Sequence, residues 1–223
     1  MDLVIFDLDG TLVDSKLDLA HSVNAARGHM GLPPLEHALV SSYVGNGAPV
    51  LIRRVLGVEA SEADVQHALE FFLAYYHEHM LDCTRLYPGV QASLDRLRQA
   101  RVAMAVLTNK PVKISHAILD GLGVGSHFFR VYGGNSFEQK KPHPMGIDRL
   151  IEEAGAARER TLLVGDSAVD VRTARNANVR CAGVTYGFQP ESLAEEPPDF
   201  LADRMEQVAD FVLAPRNDQG ESS

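Results

Sequence analysis

Val4-Ile5-Phe6-Asp7-Leu8-Asp9-Gly10-Thr11-Leu12-Val13-Asp14, near the start of a 223-residue chain, is the stretch whose reading decides the fold. Three apolar β-formers run straight into two carboxylates one residue apart. Alternate side chains of an extended segment share a face, so Asp7 and Asp9 leave the end of a buried strand together. Two ionised carboxylates that close repel each other and want a cation or a proton between them. Gly10 supplies backbone freedom for a sharp exit and Thr11 adds a hydroxyl. Taken alone, the plainer reading is a strand that ends in an acidic turn. The rest of the chain has to decide.

Working outward, Asp14 or Ser15 caps a helix, with Asp18 three positions after Ser15 in a box-like arrangement. Leu17, Ala20, His21, Val23 and Asn24 then recur at helical spacing up to Gly31, and Pro33-Pro34 ends the run. A short helix is predicted over 35–43, another through Val50, Leu51 and Val55, and a long one capped by Ser61 through Val65, Leu69, Phe72, Leu73 and Tyr76. Residues 15–82 therefore read as a helical insert placed directly after the first strand. From Tyr87-Pro88-Gly89 the pattern changes to alternation. Helices are predicted over 90–99, 113–122, 145–154 and 171–177, with strands over 102–107, 128–132, 162–164 and 182–185 between them. A short helix and strand are expected after Phe200. Such alternation implies parallel βαβ units, hence an α/β fold with a doubly wound parallel sheet and an inserted α-helical cap domain. The sheet-bearing core is assigned to 1–14 and 83–215, the inserted cap to 15–82, and 216–223 to a disordered polar tail.

Charge and composition narrow the function. The formal charge is −9 and no Lys/Arg block is present, which argues against a nucleic-acid partner or a membrane surface. No apolar run approaches the roughly 18–20 residues of a membrane span. The amino terminus lacks a basic n-region, so a cytoplasmic protein is expected. Cys83 and Cys181 lie far apart without metal-ligand spacing. His21, His67, His77, His79, His116 and His127 read as helix or loop-surface residues, none with metal spacing to a partner on a shared face.

In open parallel sheets, ligands sit beyond the carboxyl ends of the strands. Thr108-Asn109-Lys110-Pro111 follows the predicted strand ending at Leu107. Lys140-Lys141-Pro142-His143-Pro144 comes soon after the one ending at Tyr132, and Gly165-Asp166-Ser167-Ala168-Val169-Asp170 follows Val164. Each piece has a bland reading: a turn that caps the next helix, a solvated loop lysine, a strand-to-helix junction. Four such pieces, each at a strand end, gather carboxylates, a hydroxyl, an amide and a lysine at one sheet edge. That mixture suits phosphoryl transfer. A divalent cation neutralises carboxylates and phosphate, polar donors hold phosphate oxygens, and a lysine offsets developing charge.

These motifs resemble those of the haloacid dehalogenase-like hydrolase superfamily, in its phosphatase branch. Asp7-Leu8-Asp9-Gly10-Thr11 is similar to the first motif, Thr108-Asn109 to the second, Lys141-Pro142 with Pro144 to the third, and Gly165-Asp166-Ser167 with Asp170 to the fourth. The resemblance spans roughly residues 3–190. It implies that Asp7 is a nucleophile forming an aspartyl-phosphate and that Asp9 is the acid, then the base. It implies Mg²⁺ held by the carboxylates of Asp7 and Asp166 and the backbone carbonyl of Asp9, with Asp170 behind them orienting bound water or Lys141. Thr108, Asn109 and Lys141 would bind phosphoryl oxygens. An acid at the Asp9 position separates phosphatases from dehalogenases of this superfamily. Where the superfamily usually closes the helix after the fourth motif with Ala-Gly, this chain has Ala177-Asn178, and Asn is the next-best residue for a left-handed cap.

Within the insert, residues 42–56 resemble the corresponding segment of phosphoglycolate phosphatases, as do Lys110-Pro111, the 140–144 run and Thr185-Tyr186-Gly187. Gly45-Asn46-Gly47 entering a helix offers free N–H groups to a small carboxylate or phosphate, and Arg54 could add a guanidinium. The expected hinges are 14–16 and 82–87. The implied partner is a small phosphorylated metabolite, 2-phosphoglycolate first, acted on by a monomer or homodimer. A sugar phosphatase or pyrophosphatase, a phosphomutase and an inactive phosphate-sensing protein are the competing readings.

Overall fold

The computed structural model describes residues 1–214. The predicted tail 216–223, like residue 215 of the predicted core, lies outside the described residues. In chain order the elements are β1 (Leu3–Phe6), β2 (Val13–Asp14), α1 (Lys16–His29), α2 (His37–Ser42), α3 (Ala48–Leu56), α4 (Glu62–His79) and β3 (Arg85–Leu86). They continue through α5 (Val90–Gln99), β4 (Ala103–Leu107), α6 (Val112–Gly121), β5 (Arg130–Tyr132), α7 (Met145–Ala154), β6 (Thr161–Gly165) and α8 (Ala168–Asn176). β7 (Arg180–Val184), α9 (Ser192–Glu195), β8 (Phe200–Ala202) and α10 (Met205–Leu213) complete the described chain.

Six strands form one sheet in the order β5-β4-β1-β6-β7-β8, all neighbours parallel. The two-residue periodicity of the strands divides the core between the faces. Val4, Phe6, Met104, Val106, Leu162 and Val164 enter one cluster with Val90, Leu94, Met205 and Val208 of α5 and α10. Leu3, Ile5, Ala105, Leu107 and Leu163 enter another with Ile147 and Leu150 of α7 and Val171 and Ala174 of α8. Because both faces are covered, every residue of β1 is fully buried, which is why it reads as an unbroken apolar run. Burying each such side chain contributes about 1.5–3 kcal/mol.

Several boundaries differ from the sequence reading, for local reasons. β5 starts at Arg130 rather than 128 because Gly125–His127 winds a 3₁₀ turn and Phe128 packs edge-on against Phe6. α8 starts at Ala168, where the Ser167 hydroxyl and backbone N–H both donate to Asp170 Oδ2. After residue 199 the strand comes first and the helix second: β8 pairs with β7, and α10 follows with Met205, Val208, Ala209 and Val212 buried. Asn178 takes φ +52°, the left-handed turn expected after α8.

The helical insert is α1 to α4, and its two connections to the core are tied together. β2 and β3 form a short antiparallel pair, Val13 opposite Leu86 and Asp14 opposite Arg85. The predicted Ser15–Asp18 capping box does not form. Asp18, almost fully buried, accepts instead from the Cys83 and Thr84 backbone N–H groups and from the Thr84 hydroxyl, at 2.7–3.0 Å. Those return-linker donors would otherwise be buried without an acceptor, and a carboxylate serves them better than it serves an exposed helix end. Ser15 in turn gives its hydroxyl to Asp9.

Candidate functional site

β1 lies between β4 and β6, so the chain runs out to one side of β1 through β4 and β5 and to the other through β6, β7 and β8. The strand order reverses there, and the carboxyl ends of β1, β4 and β6 open side by side into a crevice. Asp7 and Asp9 come from the first, Thr108, Asn109 and Lys110 from the second, and Asp166 and Ser167 from the third; all line one cleft. Over them the insert places Leu19, Val44, Leu51, Phe72, Leu73 and Tyr76. The floor is polar and the roof apolar, so closure of the roof strips water from the floor.

On the floor, Asp7, Asp166 and Asp170 each bring a carboxylate oxygen within 4.8 Å of the others. Lys141, 4% exposed, bridges two of them, with Nζ 2.9 Å from Asp7 Oδ1 and 2.7 Å from Asp170 Oδ1. Burial pushes the Asp7 carboxyl up to about 6 despite the nearby Lys141 ammonium. Asp166 is pushed well above the usual carboxylate range by burial and then by the Asp170 and Asp7 charges. Burial works against the Lys141 ammonium, yet Asp170 and Asp7 outweigh it and hold its pKa above the ordinary lysine value. Three carboxylates against one ammonium leave the pocket short of positive charge.

The hydrogen bonds show which oxygens remain. Both oxygens of Asp170 are taken, by Lys141 and by Ser167. Asp7 Oδ1 accepts from Leu8 N–H and Lys141, and Asp166 Oδ2 from Phe188 and Gln189 N–H. Among the described residues, Asp7 Oδ2 and Asp166 Oδ1 have no protein donor. Gly10 and Gly187 make the approach possible: a Cβ on either would collide with the Asp166 side chain, and Gly10 also holds φ +81°. A hard divalent cation such as Mg²⁺, which prefers carboxylate oxygen, fits this donor set.

Asp9 stands apart from that cluster. Its Oδ1 and Oδ2 receive Lys110 Nζ at 2.8 and 2.9 Å, and Oδ1 also receives the Ser15 hydroxyl. The two carboxylates of the opening stretch thus have different surroundings, one amid carboxylates and the other under a lysine. Tyr76 of α4 completes that second corner, its ring centre 4.6 Å from Lys110 Nζ.

The other candidates fall into place unevenly. Thr108 is buried at the cleft, its hydroxyl accepting from Lys110 N–H. Asn109 donates its amide N–H groups to two carbonyls, Gly45 of the insert at 2.9 Å and Lys141 at 3.1 Å, so they are not free for a ligand. Its Oδ1 is buried without a partner among the described residues. Gly45 and Gly47 reach the cleft. Asn46 offers its carbonyl to Lys140 Nζ and does not line it. Arg54 does not reach it either; it is exposed and donates to Tyr43 O. Gln189, passed over in the sequence, grips the insert through Ser42 O and Val44 O. Its signal was available, since it follows β7 as the other site residues follow their strands. Lys110 and Tyr76 were harder to see, one being the third polar residue of a turn and the other a member of a helical apolar stripe.

The surface reading fails for His127, and His21, exposed on α1 as expected, gains neighbours that spacing did not show. The His127 side chain is buried against Asp95, with Nε2 2.8 Å from Oδ1. His21 sits within 4.8 Å of Asp18 and Cys83, a grouping hidden in sequence because Cys83 arrives from the far end of the insert. Asp18 is fully committed to N–H and O–H donors there, so the group serves the linkers. Among the described residues, no helix is long and apolar enough to cross a membrane.

Residues 4–184 match the family model described as haloacid dehalogenase-like hydrolase. The chain is 41% identical over 213 residues to a phosphoglycolate phosphatase of Pseudomonas fluorescens, covering 92% of this chain and 78% of that one. It is 39% identical to a phosphoglycolate phosphatase of Vibrio vulnificus, covering 95% and 96% of the two chains. A crystal structure from Haemophilus somnus, described as a predicted phosphoglycolate phosphatase, superposes with a TM-score of 0.90 at 35% identity, covering 95% and 97%.

Proposed function

The chain belongs to the haloacid dehalogenase-like hydrolase family, and from that premise we propose that it hydrolyses 2-phosphoglycolate to glycolate and phosphate through an aspartyl-phosphate on Asp7. The observation that carries the proposal is the unlike setting of Asp7 and Asp9. Asp7 faces the carboxylate cluster with Lys141, while Asp9 is turned away under Lys110 and Ser15. A nucleophile must stand beside the phosphoryl group and the metal, and an acid must lie off the metal, where it can exchange a proton with the departing oxygen.

In this reading Asp7 attacks phosphorus, and Asp9 protonates the leaving alkoxide and then takes a proton from the water that hydrolyses the aspartyl-phosphate. Asp7 and Asp166, with the Asp9 backbone carbonyl, would hold Mg²⁺. The ion supplies charge neutralisation of the phosphoryl oxygens. Thr108 and Lys141 hold phosphoryl oxygens, and Asp170 holds Lys141 in place. The segments 14–16 and 82–87 act as hinges for the insert, with Asn109, Lys140 and Gln189 gripping its 42–47 loop when closed. The relatives named phosphoglycolate phosphatase support the substrate, and free Cys83 and Cys181 suit a reducing, cytoplasmic setting.

Asp9 provides the sharper test. Asp9→Asn should lower steady-state kcat on every substrate, because the second step needs its base. It should slow first-turnover cleavage of alkyl phosphates by about 10²–10⁴-fold but spare the first-turnover release of p-nitrophenol from p-nitrophenyl phosphate, whose leaving group needs no proton. Equal loss of the first-turnover rate on both substrates would remove Asp9 from the acid role. Asp7→Asn should abolish turnover of either, and retained turnover would remove Asp7 from the nucleophile role.

A further inference from the structure

We propose that Lys110, with the Tyr76 hydroxyl, is the receptor for the substrate's carboxylate, and so selects short phosphorylated carboxylic acids over other phosphomonoesters. This rests on the phosphomonoesterase reading of the same cleft and adds the residue that chooses the substrate.

The cleft offers few candidates. Among its described lining residues Lys110 is the one cation; Lys141 is paired with Asp7 and Asp170 at the phosphoryl end, and Arg54 lies outside. Lys110 is 7% exposed, and an ammonium so deep in a protein must be matched by negative charge. Asp9 takes two of its three N–H donors, at 2.8 and 2.9 Å, and the third is left on the side of Tyr76, where none of the described carboxylates meets it. Next to it, the Tyr76 hydroxyl is buried, and among the described residues no group accepts its proton. A buried hydroxyl left unmatched carries a cost that a ligand acceptor would relieve. An ammonium proton and a phenol proton side by side make a two-pronged donor for one carboxylate.

Position and surroundings point the same way. Lys110 reaches Asp9, so an anion on it sits beside the group expected to protonate the leaving oxygen. In 2-phosphoglycolate the carboxylate is one carbon from that oxygen. Around the pair stand Leu19, Phe72, Leu73 and Ile114, which offer nothing to the several hydroxyls of a sugar phosphate. The two donors come from opposite parts of the molecule, Lys110 from the core and Tyr76 from α4 of the insert. A carboxylate held by both is bound fully only when the insert is closed.

The test compares 2-phosphoglycolate with ethyl phosphate, which keeps the phosphate and lacks the carboxylate. Wild type should favour 2-phosphoglycolate in kcat/KM by at least about a hundredfold, as a charge-assisted contact in a buried site allows. Lys110→Met should collapse that ratio to within about threefold of unity, and Lys110→Gln should lower it by at least about tenfold. Tyr76→Phe should lower it by about three- to tenfold. An unchanged ratio in the lysine variants, with both rates falling together, would make Lys110 only a counter-ion of Asp9 and overturn the proposal. A wild type without preference for the carboxylate would instead sink the 2-phosphoglycolate reading, and the receptor with it. Should Lys110→Met fail to fold, Lys110→Gln and Tyr76→Phe decide by the same ratio.

Discussion

Asp18 tests whether the linkers of the insert are held as described. Its carboxylate, 1% exposed, accepts from Cys83 N–H at 2.9 and 3.0 Å, Thr84 N–H at 2.8 Å and the Thr84 hydroxyl at 2.7 Å. Asp18→Ala leaves three donors without an acceptor, two of them on fully buried Thr84. Each buried, unmatched donor costs about 1–3 kcal/mol, partly offset because a buried charge is also removed. The net loss should be about 3 kcal/mol. For a chain of this length that lowers Tm by about 6–12 °C. Urea unfolding followed by circular dichroism measures it directly, and Asp18→Asn should lose nearly as much, because its amide turns donors toward donors. A loss below about 1 kcal/mol in both variants would refute the argument that Asp18 pins the two linkers.

Three further outcomes follow from packing. Gly187→Ala places a methyl against Asp166 and the Gly10 carbonyl; it should raise the Mg²⁺ concentration for half-maximal activity by at least about tenfold and lower stability by about 1–3 kcal/mol, and unchanged metal dependence would contradict the placement of Asp166. Asn109→Ala removes the bonds to Gly45 O and Lys141 O and should raise KM by about tenfold, more than it lowers kcat, if those bonds hold the insert closed. Burial pushes the Cys181 thiol well above its usual range, so a thiol reagent at pH 8 should label Cys181 only after unfolding, as mass spectrometry of the labelled peptides would show.

The sheet was legible because its strands are covered on both faces and end in polar turns. β1 is an apolar run with no exposed residue, and the segments after β4 and β6 carry the polar residues that the strand order then brings beside Asp7. What escaped depends on contacts between distant parts of the chain. The partner of Asp18 is Thr84, 66 residues away, and the partner of Lys110 is Asp9, 101 residues away. Neither pair leaves a local spacing, so Asp18 reads as a helix cap and Lys110 as a turn residue. Arg54 illustrates the converse error. It belongs to a helix whose first turn faces the cleft through Gly47, Ala48 and Leu51, but its own side chain is exposed and spent on Tyr43 O of the same insert.

The central claim is that this cleft hydrolyses a small phosphorylated acid. Phosphate release should therefore be measured with Mg²⁺ across 2-phosphoglycolate, hexose phosphates, pyrophosphate and nucleotides. The account predicts the highest kcat/KM on 2-phosphoglycolate and loss of release when Mg²⁺ is chelated. A far higher kcat/KM on a hexose phosphate, pyrophosphate or a nucleotide would contradict it.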